Sequence, residues 1–180
     1  VLRAAYLNAH FQTGLNNPLD EAIQGDAQQA ALDISAEQKV GEIPYDFVRK
    51  CLSVVVANAQ GARTLITKGA LDNVLSLCTS VQAADGPHPL DSNMRAEIAQ
   101  RAGAWGEKGF RVLGVATKAV DGQAQAYGRG DETALTFAGF LLFFDPPKAD
   151  VQQVIVDLAQ RGVQLKIITG DNRLVAQHVA

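Results

Sequence analysis

Apolar and polar positions along this chain follow two rhythms, one helical and one extended. Leu2, Ala5, Tyr6 and Ala9 fall near helical spacing and predict a helix over residues 1–11. Gly14 and Asn16-Asn17 break it. Asn17-Pro18 is a strong start for the next helix, with Asn as N-cap and Pro at the first helical position. Leu19, Ala22 and Ile23 give that helix an apolar stripe. Asp20 and Glu21 fall in its first turn, where the helix dipole favours acids. Residues 24–34 are less decided, because Gly25 weakens a helix that 27–32 could continue. Residues 41–45 read as a turn, leading into a β-branched strand over 52–56. Residues 58–62, with Gly61, read as a hairpin turn and 63–67 as the returning strand. Leu71, Val74, Leu75 and Cys78 lie at i, i+3, i+4 and i+7, which predicts a helix over 71–78.

The loop at 85–89 (DGPHP) separates this body from a long helix over 94–108, whose apolar set is Met94, Ile98, Ala102 and Trp105. A strand follows over 110–119, then a glycine-bearing loop over 121–131. Residues 135–144 predict a strand that ends near-continuously apolar, as if buried on both faces. Asp145-Pro146-Pro147-Lys148 is a sharp break. Val151, Val154, Ile155 and Leu158 make a helical stripe stopped at Gly162, and 165–168 read as another strand. Thr169-Gly170-Asp171-Asn172 then starts a helix. Strand, helix, strand in that order is a βαβ unit with parallel strands and a right-handed crossover. The fold expected is therefore α+β: an antiparallel twisted sheet flanked by helices over residues 1–143, then a short α/β piece over 144–180. Both ends read as cut. Val1 already lies in a helix, and the last helix stops after about two turns. The chain is expected to be a segment of a longer one.

Composition narrows the function classes. A net charge of −3 without a Lys/Arg-rich run gives no reason to expect a nucleic-acid binder. The longest apolar run, 134–144, is interrupted by Thr136 and falls short of the roughly 20 residues a membrane span needs. No signal peptide is visible. Cys51 and Cys78 stand far apart, which fits a reducing compartment and neither a disulfide framework nor a zinc site. His10, His88 and His178 have no ligand spacing, so none is assigned to a metal. No Cys–His or Ser–His–Asp arrangement can be read, and no residue stands out as a nucleophile.

Candidate chemistry gathers at a few places, each with a bland alternative. Tyr45 at a strand entrance can stack on a base, and Arg49-Lys50 can meet an anion; equally, the ring is half-buried and the cations solvated. Lys68-Gly69-Ala70 puts a cation beside small residues that let a ligand near the backbone, or it is a strand end with a turn. Asp20 can accept from a ligand amine or simply serve the helix start. Arg111 can face a cleft or solvent. Thr169-Gly170-Asp171 lies between a strand end and a helix N-terminus, where α/β proteins place phosphates; Asp171 can instead cap the helix. Asp145-Pro146-Pro147-Lys148 is a stiff junction, with Lys148 near that loop.

Taken in order, these pieces resemble one family. EIPYDFVRKCLSVVV, TLITKGALDNV, GFRVLGVATK, FFDPPKADV and IITGDN are similar to the run of motifs in the cytoplasmic part of P-type cation-transporting ATPases. AHFQTGLNNPLDEAI and EIPYDFVRKCLSVVV bring the chain nearest to the bacterial magnesium-importing branch. The resemblance covers nearly the whole chain. It implies a nucleotide-binding (N) domain, joined to part of a phosphorylation (P) domain, that binds ATP. It places Tyr45 where the family has a Phe that stacks on adenine, and puts Lys50 and Lys68 along the nucleotide pocket. Gly69 lets the base approach, Arg111 reaches the phosphates, and Asp20 sits near the adenine amine. Thr169, Gly170 and Asp171 match the loop that meets the phosphoryl group, and Asp145 and Lys148 match the hinge between the two domains.

The same resemblance implies partners and place. The rest of the P domain, an actuator (A) domain and transmembrane domains would belong to the same polypeptide, at the cytoplasmic face of a bacterial inner membrane. The intact enzyme would use ATP and Mg²⁺, form an aspartyl phosphate and move a cation, most simply Mg²⁺, with Ca²⁺ or H⁺ as alternatives. The segment itself would touch no membrane. Two departures stand out: Tyr replaces Phe at 45, and Leu71 follows KGA where Pro is common. The family's phosphorylated DKTGT and its GDGxND pair do not occur in these residues, so the segment is expected to bind ATP without hydrolysing it. A nucleotide-free interaction domain of the same fold is the alternative from another class. Phe47, the second aromatic of the stretch, is assigned to core or sheet packing.

Overall fold

Asn17 caps the second helix as its chemistry predicts. Its Oδ1 accepts the Asp20 backbone N–H at 3.0 Å, and Pro18 opens helix α2, Pro18–Gln29, which follows α1, Leu2–Phe11. The computed structural model describes residues 1–14, 17–122, 124, 126–144, 150–166 and 168. The inward face of α2 is Asp20, Ile23 and Ala27, while Ala22 is exposed. The expected stripe is thus rotated: an acid takes an inward position because it has a cation to meet there.

The remaining elements of the body are β1 (Gln38–Asp46), β2 (Cys51–Ala57), β3 (Arg63–Ala70), α3 (Leu71–Ser76), β4 (Cys78–Ala83), β5 (Gly86–Pro89), α4 (Ser92–Gly106), β6 (Arg111–Val120) and β7 (Leu135–Phe143). The strands form one seven-stranded sheet in the order β1-β2-β3-β6-β7-β4-β5. Its described pairs are antiparallel except β4 with β7, which run parallel. The chain clusters into two units, Val1–Arg95 with Leu113–Leu141, and Ala96–Val112 with Leu142–Ala180.

In the first unit, β2 is the most fully buried strand. Cys51, Leu52, Ser53, Val54, Val55 and Val56 are all buried, as their β-branched run predicts. Paired residues of adjacent strands share a sheet face, so Leu52 and Lys68 lie on one side and Ser53 and Thr67 on the other. Helix α1 packs on the sheet through Asn8, whose Nδ2 donates to the carbonyls of Ile66 (2.9 Å) and Leu52 (3.3 Å). The hairpin at 58–62 forms as read, with Gly61 at φ +79° closing the turn.

Several local expectations change. Residues 41–45 are strand, not turn, and the reversal comes at 47–50. Cys78 leaves the helix and opens β4, because α3 ends at Ser76 and the Cys78 backbone pairs with β7. Residues 86–89 form a strand rather than loop, since β4 supplies an antiparallel partner for Gly86–Pro89. In β7 only Leu135 and Phe137 are buried and Leu142 is exposed, so the apolar run is not covered on both faces.

In the second unit, helix α5, Val151–Gln160, forms on the expected stripe and ends at Gly162, φ +77°, where Val163 N donates to Leu158 O at 2.9 Å. Phe110 and Phe144 pack at 5.2 Å between ring centroids. Leu165, Lys166 and Ile168 do not form the strand expected after α5, and Ile168 is 97% exposed. A strand exists by pairing, and no described residue pairs with this one. Asp145, Lys148, Thr169, Gly170 and Asp171 lie outside the described residues.

Candidate functional site

The stretch from β1 to β2 is a hairpin, and its turn explains where the candidate side chains go. The Asp46 carboxylate Oδ1 accepts the backbone N–H of Val48 (2.7 Å) and Arg49 (3.2 Å). Its carbonyl accepts Lys50 N at 2.6 Å. These bonds hold the Asp46 carboxyl below the usual carboxylate range. They curl residues 47–50 into a tight turn that ends with Lys50 at φ +50°. Two residues, Pro44 and Tyr45, oppose one on β2, because the register slips between Ile43/Ser53 and Asp46/Cys51.

This geometry presents Tyr45 half-exposed, at 52%, and throws Phe47 out to 87% exposure. The assignment of Phe47 to core or sheet packing is therefore corrected: the Asp46 turn ends the strand before Phe47 can join it. The two rings meet edge to face, 5.4 Å apart and 88° between planes. With Ile43, Pro44, Val48, Arg49 and Arg129 they line a surface depression of about 550 Å³. Lys50, the last residue of the turn, is exposed.

Strand β3 runs antiparallel alongside β2, and its C-terminal end lies at the turn end of the hairpin. Ala70 N donates to the Lys50 carbonyl at 2.9 Å. Gly69 pairs with Cys51, and a Cβ on Gly69 would fall 2.5 Å from Cys51 Cβ and closer still to the Lys50 carbonyl. The missing side chain faces the protein's own backbone, so strand packing alone demands this glycine.

Lys68 and Asp20 come together, which neither bland reading of them foresaw. Lys68 is 7% exposed and Asp20 4%. The ammonium is ion-paired to Asp20 Oδ1. Asp20 Oδ2 accepts Asn17 Nδ2 at 2.7 Å and lies 3.5 Å from Gln12 Nε2. Burial pushes the Lys68 ammonium below the usual lysine range, and Asp20 pulls it back only in part. Arg111 is exposed at the start of β6 and belongs to the second unit.

On the opposite sheet face lies a second polar cluster, which the pattern of residues did not reveal. Glu132 is 1% exposed. Its Oε1 accepts the Ser53 hydroxyl at 2.6 Å, and Ser53 Oγ lies 2.7 Å from Thr67 Oγ1. Its Oε2 is ion-paired to Arg49 Nη1. Arg49 Nη2 donates to the Pro44 carbonyl at 2.7 Å. Arg49 is thus held within the protein, and its reading as a free anion-seeking cation gives way to a structural contact. Burial and the Glu132 charge push the Cys51 thiol up to about 11, and burial pushes Cys78 to about 12. Both thiols are protonated at neutral pH, which suits packing and not attack. Among the described residues no cluster of His, Cys, Asp and Glu could hold a metal ion. No helix among them is long and apolar enough to cross a membrane.

Comparison with known proteins agrees with this architecture. Residues 10–150 match the family model for the P-type ATPase cytoplasmic domain N. The magnesium-transporting ATPase, P-type 1, of Salmonella typhimurium (strain 14028s / SGSC 2262) is 41% identical over 181 residues, covering 99% of this chain and 20% of the relative. The protein of the same name from Escherichia coli (strain K12) is 39% identical over the same span. The endoplasmic reticulum-type calcium-transporting ATPase 2 of Arabidopsis thaliana is 31% identical over 159 residues, 79% of this chain and 15% of the relative. The chain spans about a fifth of the length of the magnesium-transporting relatives. With a family match over residues 10–150 and a mostly antiparallel sheet flanked by helices, this chain belongs to the P-type ATPase cytoplasmic N-domain family.

Proposed function

We propose that this chain holds ATP for a P-type ATPase. The observation that carries the reading is the hairpin: a half-exposed Tyr45 and an exposed Lys50 stand at its turn end, and at that same end the Lys50 carbonyl is bonded to Ala70 of the Lys68-Gly69-Ala70 segment. Tyr45 offers a ring face for adenine, and its edge contact with Phe47 keeps that ring from rotating freely. Lys50 offers a mobile point charge for phosphate. Lys68 and Asp20 act as one unit on the inner side, the carboxylate fixing the ammonium. Arg111 is assigned to the phosphates, Thr169, Gly170 and Asp171 to the phosphoryl group, and Asp145 and Lys148 to a hinge at a boundary near 143/144.

In the whole protein the remaining P, A and transmembrane domains would complete the machine. Its aspartyl phosphate would couple ATP hydrolysis to cation movement at the cytoplasmic face of a bacterial inner membrane. The magnesium-transporting relatives favour Mg²⁺ as cargo over Ca²⁺ or H⁺. The intact enzyme would use Mg²⁺ together with ATP. The segment itself would bind ATP without cleaving it.

The competing reading is an interaction domain that has lost nucleotide. The exposure of Phe47 and Val48, at 87% and 85%, is the feature that favours it. An ATP titration followed by NMR decides between them. Binding predicts saturable shifts at Tyr45, Lys68 and Arg111. Saturating ATP without shifts there overturns the site.

A further inference from the structure

Arg49 is the only guanidinium of the hairpin turn, and both of its terminal nitrogens are bonded to groups of the protein itself. Nη1 meets Glu132 and lies 3.4 Å from Cys51 Sγ. Nη2 meets the Pro44 carbonyl, one residue before Tyr45. Nε lies 3.8 Å from Asp46 Oδ2, the residue whose other oxygen caps the turn. One side chain therefore ties together the bulge that presents Tyr45, the turn that presents Lys50, and a buried carboxylate.

That carboxylate is a fixed point. Glu132 sits between the 3-10 turn Arg129–Asp131 and strand β7. The segment is anchored to β6, because Lys118 Nζ donates to the carbonyls of Thr133 (2.9 Å) and Asp131 (3.2 Å). Ser53 donates to Glu132 from the middle of β2. Arg129 adds a second tie, an ion pair to Asp46. A carboxylate buried this fully is costly unless its partners are well placed, and here both oxygens are used. An Arg fork supplies two directed bonds where a Lys would supply a point charge.

We infer that Glu132 is a positioning residue for the nucleotide hairpin: through Arg49 it fixes the bulge and turn in which Tyr45 and Lys50 meet a ligand. This rests on the reading of the hairpin as the ATP site. It extends that reading to a residue in a distant loop that touches no ligand. The clasp of residues 129–132 sets the affinity of the site by pre-organising it, which spares the ligand the cost of ordering the turn.

The test uses the whole 180-residue chain and three variants: Glu132→Gln, Arg49→Lys and Thr67→Val. Glu132→Gln keeps an acceptor for Ser53 and removes the charge that holds Arg49. Thr67→Val removes the neighbouring hydroxyl on the same sheet face and leaves Arg49 untouched, so it reports a purely structural loss. In the ligand-free protein, Glu132→Gln and Arg49→Lys should weaken the Tyr45–Phe47 ring-to-ring NOEs and shift residues 44–50, while Thr67→Val keeps both. ATP affinity should fall about tenfold in Glu132→Gln, the scale of one charge-assisted contact. The Arg49→Lys/Glu132→Gln double variant should fall no further than the worse single, because the two act in series. A Glu132→Gln protein with wild-type hairpin signals, or with wild-type affinity, would overturn the inference. If the wild type itself binds no ATP, the reading of the site fails, and the ligand-free NOEs still decide whether the clasp exists.

Discussion

Lys68 and Asp20 show how much a single pair can decide at the residue scale. Each is nearly fully buried, and each depends on the other for charge balance. Asp20→Asn leaves a buried ammonium without its anion, and a loss of about 3–5 kcal/mol is expected in urea denaturation. Replacing both by apolar residues of similar size, as Asp20→Leu/Lys68→Met, should recover most of it. The pair also predicts a pH dependence. Burial sets the folded-state pKa of Lys68 below its ordinary value of 10.5, so over that window the unfolded chain binds more protons. Wild-type stability relative to Lys68→Met should therefore rise as pH climbs through the depressed value toward 10.5. Parallel stability curves for the two proteins would contradict the assignment. The chain pattern showed Asp20 as a first-turn acid and Lys68 as a strand-end cation. It could not pair them, because they are 48 residues apart and only the fold, with α2 packed on α1 and α1 on the sheet, brings them together.

At the scale of the element, the β1–β2 hairpin and its neighbour β3 carry the site. Their bodies were legible: a β-branched run makes β2, and a Gly61 turn returns it as β3. The tip was not. Local side-chain bonding at Asp46 outweighs the β propensity of Phe47 and Val48 and turns both outward. Gly69 was read as room for a ligand, yet its α-carbon faces the Lys50 carbonyl and Cys51. Gly69→Ala should cost about 1–3 kcal/mol by overpacking, and should shift NMR signals of Lys50 and Cys51 before any nucleotide is added. Unchanged stability in Gly69→Ala would return the glycine to the ligand. Glu132 escaped notice because it lies in a glycine-bearing stretch with no apolar periodicity, and loop chemistry leaves no periodic trace.

For the whole molecule, the ordered set of motifs gave the family, and periodicity gave most helices and the central strands. What periodicity could not give was topology. The parallel β4–β7 pair joins segments far apart in the chain, and the 86–89 strand exists because β4 offers an edge. Two polar clusters now sit on opposite faces of one sheet, Asp20–Lys68 under the helices and Arg49–Glu132–Ser53 behind the hairpin. Together they hold from both sides the strands that carry the proposed ATP site. In the proposed site, Tyr45 at the hairpin tip is the ring on which ATP stacks. Calorimetric titration of ATP into the wild type and Tyr45→Ala tests it most directly. Binding should be saturable and should weaken by roughly 1–3 kcal/mol in Tyr45→Ala, the scale of one base–aromatic stack. Equal affinity in the two proteins would contradict it.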